Sequence, residues 1–323
     1  MKEIKPLQYL KVFRYVASNL LQNSGKYPLY ASLKITRKCP LQCRYCDMPK
    51  EDSVQPDLSA DQIENILVNL ASSSIFVLTI EGGEPFLHPE IDRILAFASR
   101  QTYYLAVVTS VRGFDLDRIR ENQQSIDFLH LSIDEAHGNL DLLKNLEKFR
   151  REWSRPALAI QSVVGRAELD AMEEKVKVVR AAGIRICLMP AASLLPGKDC
   201  YPDPADFRSR VEKLRERYPG TVLTSASFLR AINSDHSCSS SSIIIDPGGD
   251  LFYPCRMLQQ KPVNLLNTSL QDFVKSPAAK ILRQQMDLCS RSCGWYQYFA
   301  VSFRSIRNLS QDLQGSLERT HNP

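Results

Sequence analysis

The chain has 323 residues, of which 44% are hydrophobic and 24% charged, and carries a formal net charge of +5 at pH 7. That length holds one large domain plus a smaller one, with ample core. The charge is mild and no Lys/Arg block stands out, which argues against nucleic acid as partner, and no apolar run approaches the ~20 residues that span a bilayer.

In chain order, Leu7, Leu10, Val12, Phe13, Val16 and Leu20 recur at near-helical spacing between Leu7 and Gln22, with Lys5, Lys11 and Arg14 among them. The preferred reading is an N-terminal helix packed on the body. The alternative is a basic amphipathic segment making peripheral contact with an anionic membrane surface. Gly25 and Pro28 end it, and Tyr30–Thr36 reads as the first strand. The polar stretch Asp57–Asp61 opens a helix through Leu70. The continuous apolar run Ile75–Ile80 then suits a strand buried on both faces of a parallel sheet. A helix over Pro89–Ser99, strands over Tyr103–Thr109 and Phe128–Ile133, and a helix over Asn139–Arg151 follow. Strands at Ala157–Val164 and Ile184–Met189 flank a helix over Glu168–Ala182, which Gly183 caps. A further helix over Ala205–Tyr218 precedes Thr221–Thr224.

Six βα repeats imply a parallel sheet with right-handed crossovers. They fall short of the eight of a closed barrel, so the expected fold class is α/β with a partial (β/α)6, TIM-like barrel. Its ligand site belongs at the strand C-termini.

Nine cysteines without a secretory signal point to a cytoplasmic setting, where thiolates serve metals rather than disulfides. Cys39, Cys43 and Cys46 stand as C-x3-C-x2-C just after the first strand. Such a loop reaches three irons of one cubane cluster and leaves the fourth open. Zinc stays an alternative on spacing alone, although structural zinc takes four ligands and no fourth cysteine lies nearby. The second strand ends in Glu81-Gly-Gly-Glu-Pro85, where two glycines allow close backbone approach to a ligand.

Taken together, the cysteine triplet, Tyr45 before its last cysteine, and Gly82-Gly83-Glu84-Pro85 resemble the radical S-adenosylmethionine (SAM) superfamily over roughly residues 30 to 225. The resemblance implies that the three thiolates hold a [4Fe–4S] cluster whose open iron chelates SAM. It also implies reductive cleavage of SAM to a 5′-deoxyadenosyl radical that abstracts a substrate hydrogen. By the same resemblance Gly82, Gly83 and Glu84 belong to the SAM site, with Gly83 meeting the methionyl amino group. Tyr45 and Met189 lie by the adenine, and Ser132 contacts the methionyl carboxylate or ribose. Thr109-Ser-Val-Arg-Gly113 stands where many members carry Thr-Asn-Gly.

A second cysteine set follows. A hairpin through Ile243–Ile245, the turn Asp246–Asp250 and Leu251–Cys255 would bring Cys238 and Cys255 together, and a helix over Ser276–Met286 leads to Cys289 and Cys293. Spacing alone permits zinc here as well. The pattern resembles the SPASM and shorter twitch extensions of the superfamily, and four cysteines suit the shorter form with one auxiliary [4Fe–4S] cluster. The implied organisation is an N-terminal helical extension over 1–29, the radical SAM barrel over 30–225, and a small α+β auxiliary-cluster domain over 226–323.

The leading expectation is an oxidation of dehydrogenase type, or a bond formation, on a small molecule of natural-product biosynthesis, with flavodoxin or ferredoxin as reductant. A radical SAM enzyme modifying a ribosomal peptide or a lipid is the alternative, and a non-catalytic zinc or iron–sulfur scaffold is the rival of another class. Of the remaining cysteines, Cys187 reads as core and Cys200 as a loop residue at the mouth. Arg112, Asp134, Glu135 and His137 are loop residues of the same face, and the aromatic tail Trp295–Phe303 is a candidate barrel cap.

Overall fold

The computed structural model describes residues 6–46, 48, 56–192, 200–232, 240–289 and 295–299. Cys238 and Cys293 lie outside the described residues, as does the tail beyond 299.

Helix α1 (Pro6–Leu21) leads into strand β1 (Tyr30–Lys34). Then α2 (Ala60–Ser72), β2 (Val77–Glu81), α3 (Ile91–Ala98), β3 (Tyr104–Thr109), α4 (Asp117–Asn122) and β4 (Phe128–Ser132) alternate. The alternation continues through α5 (Leu146–Glu152), β5 (Ala157–Val164), α6 (Met172–Ala181), β6 (Arg185–Pro190) and α7 (Pro204–Arg217). After α8 (Ala226–Ala231) come β7 (Ser242–Ile245), β8 (Asp250–Phe252), β9 (Val263–Asn264), α9 (Leu270–Phe273) and α10 (Pro277–Asp287).

The strands form one open nine-stranded sheet in the order β6-β5-β4-β3-β2-β1-β7-β8-β9. It is parallel from β6 to β7, and β8 and β9 add antiparallel. This is the expected α/β partial barrel, with one addition. The C-terminal hairpin does not form a separate sheet, because β7 pairs in parallel with β1 in the register Tyr30↔Ser242 to Leu33↔Ile245. Asn69 of α2 stitches the same region down, donating to Leu265 O and Thr268 O and accepting from Leu270 N. One hydrophobic core therefore runs from Ala31 through Ile245 to Leu270.

Each barrel strand sends alternate side chains to opposite faces. Ala31, Leu33, Leu78, Ile80, Leu105 and Leu129 face the helix layer and are at most 1% exposed. Helix α2 meets them with Ile63, Ile66, Leu67 and Leu70, each buried side chain contributing about 1.5–3 kcal/mol. A capping box between Ser59 and Gln62 starts that helix. Asp57, expected among its opening residues, instead accepts from Thr36 Oγ1 at 2.6 Å and Arg37 N at 3.1 Å, which ties down the exit of β1.

The helix expected at Asn139–Arg151 is shorter, a 3-10 turn over Leu140–Asn145 followed by α5. Asn139 is occupied in closing the β4 loop. Its amide donates to Ser110 O and Ser132 O, and its carbonyl oxygen accepts from Asp134 N.

Helix α1 seals the N-terminal end of the barrel, opposite the cysteine loop. Val12 packs on the cluster of Phe76, Tyr104 and Phe128, and Lys11 Nζ donates to Ala71 O at 3.0 Å. Leu10, Phe13 and Leu21 stay exposed. No helix among the described residues is long and apolar enough to cross a membrane.

Candidate active site

The inward side chains enclose a cavity of about 330 Å³ that runs from the floor of the barrel to its C-terminal mouth. Cys39, Cys43, Cys46, Tyr45, Gly82, Gly83, Ser132 and Met189 all line it. Cys43 is the most enclosed of the three cysteines, at 6% exposure. Burial pushes the Cys39 thiol up to about 11. The three thiols share the cavity, but among the described residues no three His, Cys, Asp or Glu side chains already converge on one point.

The glycines have a second task beside the one expected of them. Gly82 sits at φ +142°, and a Cβ there would lie 2.6 Å from Thr36 O, while a Cβ on Gly83 would overlap the Lys38 carbonyl. Gly83 N donates to Thr36 O and Glu84 N to Lys38 O, both at 2.8 Å. The glycines thus let the end of β2 lie directly against the stem of the cysteine loop.

Glu84 does not line the cavity. It is fully buried, and its carboxylate accepts from Thr109 Oγ1, from Ser110 N and Oγ, and from Phe86 N. Burial raises its pKa, and these bonds only partly oppose the rise. In this position it clamps the end of β2 to the end of β3. That is also the work of Thr109 and Ser110, the segment that departs from the common Thr-Asn-Gly.

Tyr45 is held by its hydroxyl, which donates to Asp134 Oδ1 at 2.9 Å and lies 3.2 Å from His137 Nδ1. Asp134 also accepts from Val163 N and His137 N. Burial would raise its carboxyl, but the bonds from His137 and Val163 hold it below the usual range. Of the four loop residues singled out from the sequence, only His137 lines the cavity. Arg112 pairs with Asp141 on the surface, and Glu135 pairs with Lys175 at 3.1 Å.

Cys187, expected in the core, faces the cavity from β6 and is hydrogen-bonded with Tyr296 and Thr224. Burial pushes its thiol up to about 11. Cys200 does not line the cavity, and its carbonyl accepts from Arg166 N at 2.9 Å. Residues 295–297 of the aromatic tail do reach inside: Tyr296 packs edge-on to Phe228, and Gln297 Nε2 donates to Glu81 Oε1 at 2.6 Å.

Below this level lies a polar interior that the apolar strand runs hide. Lys34 Nζ donates to Glu81 at 2.7 Å and Ser32 Oγ does so at 2.5 Å. His130 lies 2.7 Å from Gln161 Nε2, which donates to His130 Nδ1 and so leaves the imidazole proton on Nε2. Burial, then the charge of Arg185, depress His130 to about 4. The unfolded imidazole, with a pKa near 6.5, binds a proton that the folded chain refuses until about pH 4, so stability is lost as pH falls through this window. Between pH 7 and pH 5 the loss is about 2 kcal/mol. Denaturant titrations at the two pH values should show it, and His130→Gln should remove it. An unchanged acid slope in that variant would contradict a neutral, buried His130.

In the C-terminal part, Cys255 follows β8 and Cys289 follows α10. The two carriers are tied together: Arg283 Nη1 donates to Tyr253 Oη at 2.8 Å and Gln260 Nε2 to Gln285 Oε1 at 3.0 Å. Arg256, next to Cys255, lines the cavity beneath the cysteine loop, with Nη1 4.0 Å from Met48 Sδ.

The model of the radical SAM superfamily matches residues 33–191, which carry the cysteine loop, the glycine pair, Ser132 and Met189. Residues 33–191 of the chain are a radical SAM domain. With it come a [4Fe–4S] cluster and SAM as cofactors, and the donors fit: three thiols and two side-chain-free backbone positions border one cavity.

Among curated proteins, the chain is 27% identical over 219 residues to a PqqA peptide cyclase of Methylocella silvestris, covering 61% of this chain and 58% of that one. It is 24% identical over 130 residues to the subtilosin biosynthesis protein AlbA of Bacillus subtilis, covering 39% and 29%. The match thus spans less than two thirds of either relative.

Among solved structures, SuiB of Streptococcus suis bound to its precursor peptide SuiA superposes with a TM-score of 0.67 at 16% identity, over 87% of this chain and 75% of that one. The protein anSMEcpe with bound AdoMet and the Kp18Cys peptide gives 0.64 at 12%, over 90% and 97%. Both likenesses are of fold.

Proposed function

We propose that the protein is a radical SAM enzyme that modifies a ribosomally made peptide. The observation that carries the reading is one cavity lined by Cys39, Cys43 and Cys46 together with Gly82, Gly83, Ser132 and Met189. The substrate class rests on the relatives, which are peptide cyclases, a bacteriocin biosynthesis protein and SuiB with its precursor peptide. They favour peptide chemistry over the small-molecule, dehydrogenase-like reading.

In this reading the three thiolates hold the cluster, Gly83 and Ser132 meet the methionyl end of SAM, and Tyr45 and Met189 flank its adenine. So held, a [4Fe–4S] cluster would supply the one-electron reduction needed for reductive cleavage of bound SAM. Asp134 fixes Tyr45, and the Glu84 clamp and the two glycines fix the cysteine loop against β2. The barrel floor closed by α1 keeps bulk water from the radical's path. Glu84 acts through position rather than through contact with SAM.

In the same reading Cys238, Cys255, Cys289 and Cys293 would hold an auxiliary [4Fe–4S] cluster, which would supply an acceptor for an electron from the substrate. Anaerobic reconstitution should give about eight irons per chain, from two [4Fe–4S] clusters. With a flavodoxin or dithionite as reductant, the protein should release 5′-deoxyadenosine from SAM. Cys255→Ala should lower the iron to about four, keep 5′-deoxyadenosine release and stop peptide product. Zinc in place of iron, or no 5′-deoxyadenosine under any reductant, would leave the scaffold reading instead.

A further inference from the structure

The strand register assembles one layer of the barrel interior that the reaction as described does not use. Lys34 of β1 pairs with Glu81 of β2. Ile80 pairs with Val107, which sets Glu81 beside Val108 of β3. Val108 pairs with His130 of β4, His130 with Ala159 of β5, and Ala159 with Arg185 of β6. All six residues line the cavity. The next inward layer along β4, β5 and β6 is Ser132, Gln161 and Cys187, paired in register. Two residues along a strand advance about 6.6 Å, so the Lys–Glu–Val–His–Ala–Arg ring lies one layer beneath Ser132 and two beneath Met189, both proposed SAM contacts.

Around this ring the groups are unevenly committed. Glu81, its one acid, is locked by Lys34, Ser32 and Gln297. Across the barrel, the small side chain of Ala159 sits between His130 and Arg185. That leaves a notch flanked by a neutral imidazole, with its proton on Nε2, and a guanidinium. Arg185 already takes part in other interactions, but its five N–H groups let it hold the wall and a ligand together. Both walls of the notch donate hydrogen bonds and one of them is a fixed cation; the charge of Glu81, the ring's one acid, reaches His130 but is paired with Lys34.

We propose that the notch over Ala159 binds a carboxylate of the substrate, between His130 Nε2 and Arg185, and thereby sets which residue faces the cofactor. The inference rests on the enzyme reading above and narrows its substrate to a peptide presenting an acidic side chain or a free chain end.

The probes are acetyl-glutamate N-methylamide and its glutamine counterpart, titrated calorimetrically into the reconstituted, SAM-loaded protein without reductant. The expected result is binding of the glutamate probe at least about tenfold tighter than the glutamine probe. Arg185→Gln should abolish that preference and Arg185→Lys should restore part of it. Ala159→Val, which fills the notch but keeps both polar groups, should weaken the glutamate probe. Circular dichroism and iron content on each variant separate loss of the site from loss of the fold. Equal affinities in the wild type, no saturable binding of the glutamate probe, or a preference that survives Arg185→Gln in folded protein would overturn the proposal. So would competition between SAM and the glutamate probe, because the anion would then sit in the cofactor layer. A protein that prefers glutamate yet never releases 5′-deoxyadenosine contradicts the enzyme reading alone. One that releases it and shows no preference contradicts this inference alone.

Discussion

Reconstituted Cys43→Ala protein is expected to release no 5′-deoxyadenosine above background. Three thiols are the fewest that hold a cubane with one open iron, so the loss of one leaves the cluster without a stable seat. Cys43 is the most sensitive of the three because it is the most buried and is enclosed by its neighbours. Cys46 N donates to Cys43 O at 3.1 Å, and the imidazole of His137 hydrogen-bonds the Cys43 sulfur. Against the pull of burial, Asp134 and Cys43 raise His137 to about 10, so a positive imidazolium lies beside that sulfur. Changes to groups merely supporting metal ligands cost about 10–100-fold, and removing a ligand should exceed that range. The check is chromatographic quantitation of 5′-deoxyadenosine with iron content on the same samples. Iron should fall from about eight to about four per chain. Activity within tenfold of the wild type would remove Cys43 from the cluster.

Among the described glycines, Gly83→Ala should be the most damaging single-methyl change. The added Cβ would overlap the backbone carbonyl of Lys38, with Arg37 O also within 2.9 Å. Backbone cannot rotate away as a side-chain tip can, so either β2 or the cysteine loop must shift. The hydrogen bonds from Gly83 N to Thr36 O and from Glu84 N to Lys38 O break with that shift. The expected cost is about 2–4 kcal/mol, the range of overpacking combined with lost buried bonds. Thermal melts before reconstitution should show a fall of several degrees. Reconstitution of the variant should return less iron at the cysteine loop. A wild-type melt with full iron would mean that the two segments are not held in register by this contact.

The barrel itself was legible because buried parallel strands announce themselves as apolar runs between helix signals, as Ile75–Ile80 does. The cysteine loop and the glycine pair were legible because each is local in sequence. The polar ring was not. Lys34, Glu81, His130 and Arg185 each look incidental in their own strand and come together only through the register of six strands. Cys187 is buried as expected, but the same cause hid that its side of the strand borders the cavity. Glu84 shows a further limit. Its motif marks it as part of the site, yet three hydrogen bonds from Thr109 and Ser110 turn its carboxylate toward the end of β3 rather than the cavity. The C-terminal hairpin was foreseen as a hairpin, but nothing local in Ser242–Ile245 tells that it would pair with β1.

The most direct measurement is electron paramagnetic resonance on reduced Cys255→Ala protein, whose remaining cluster is the one in the cysteine loop, before and after SAM is added. The predicted result is a [4Fe–4S] signal that changes shape on SAM addition, because under the proposed function SAM binds the open iron left by Cys39, Cys43 and Cys46. A protein that takes up no iron there, or a cluster signal indifferent to SAM, would contradict it.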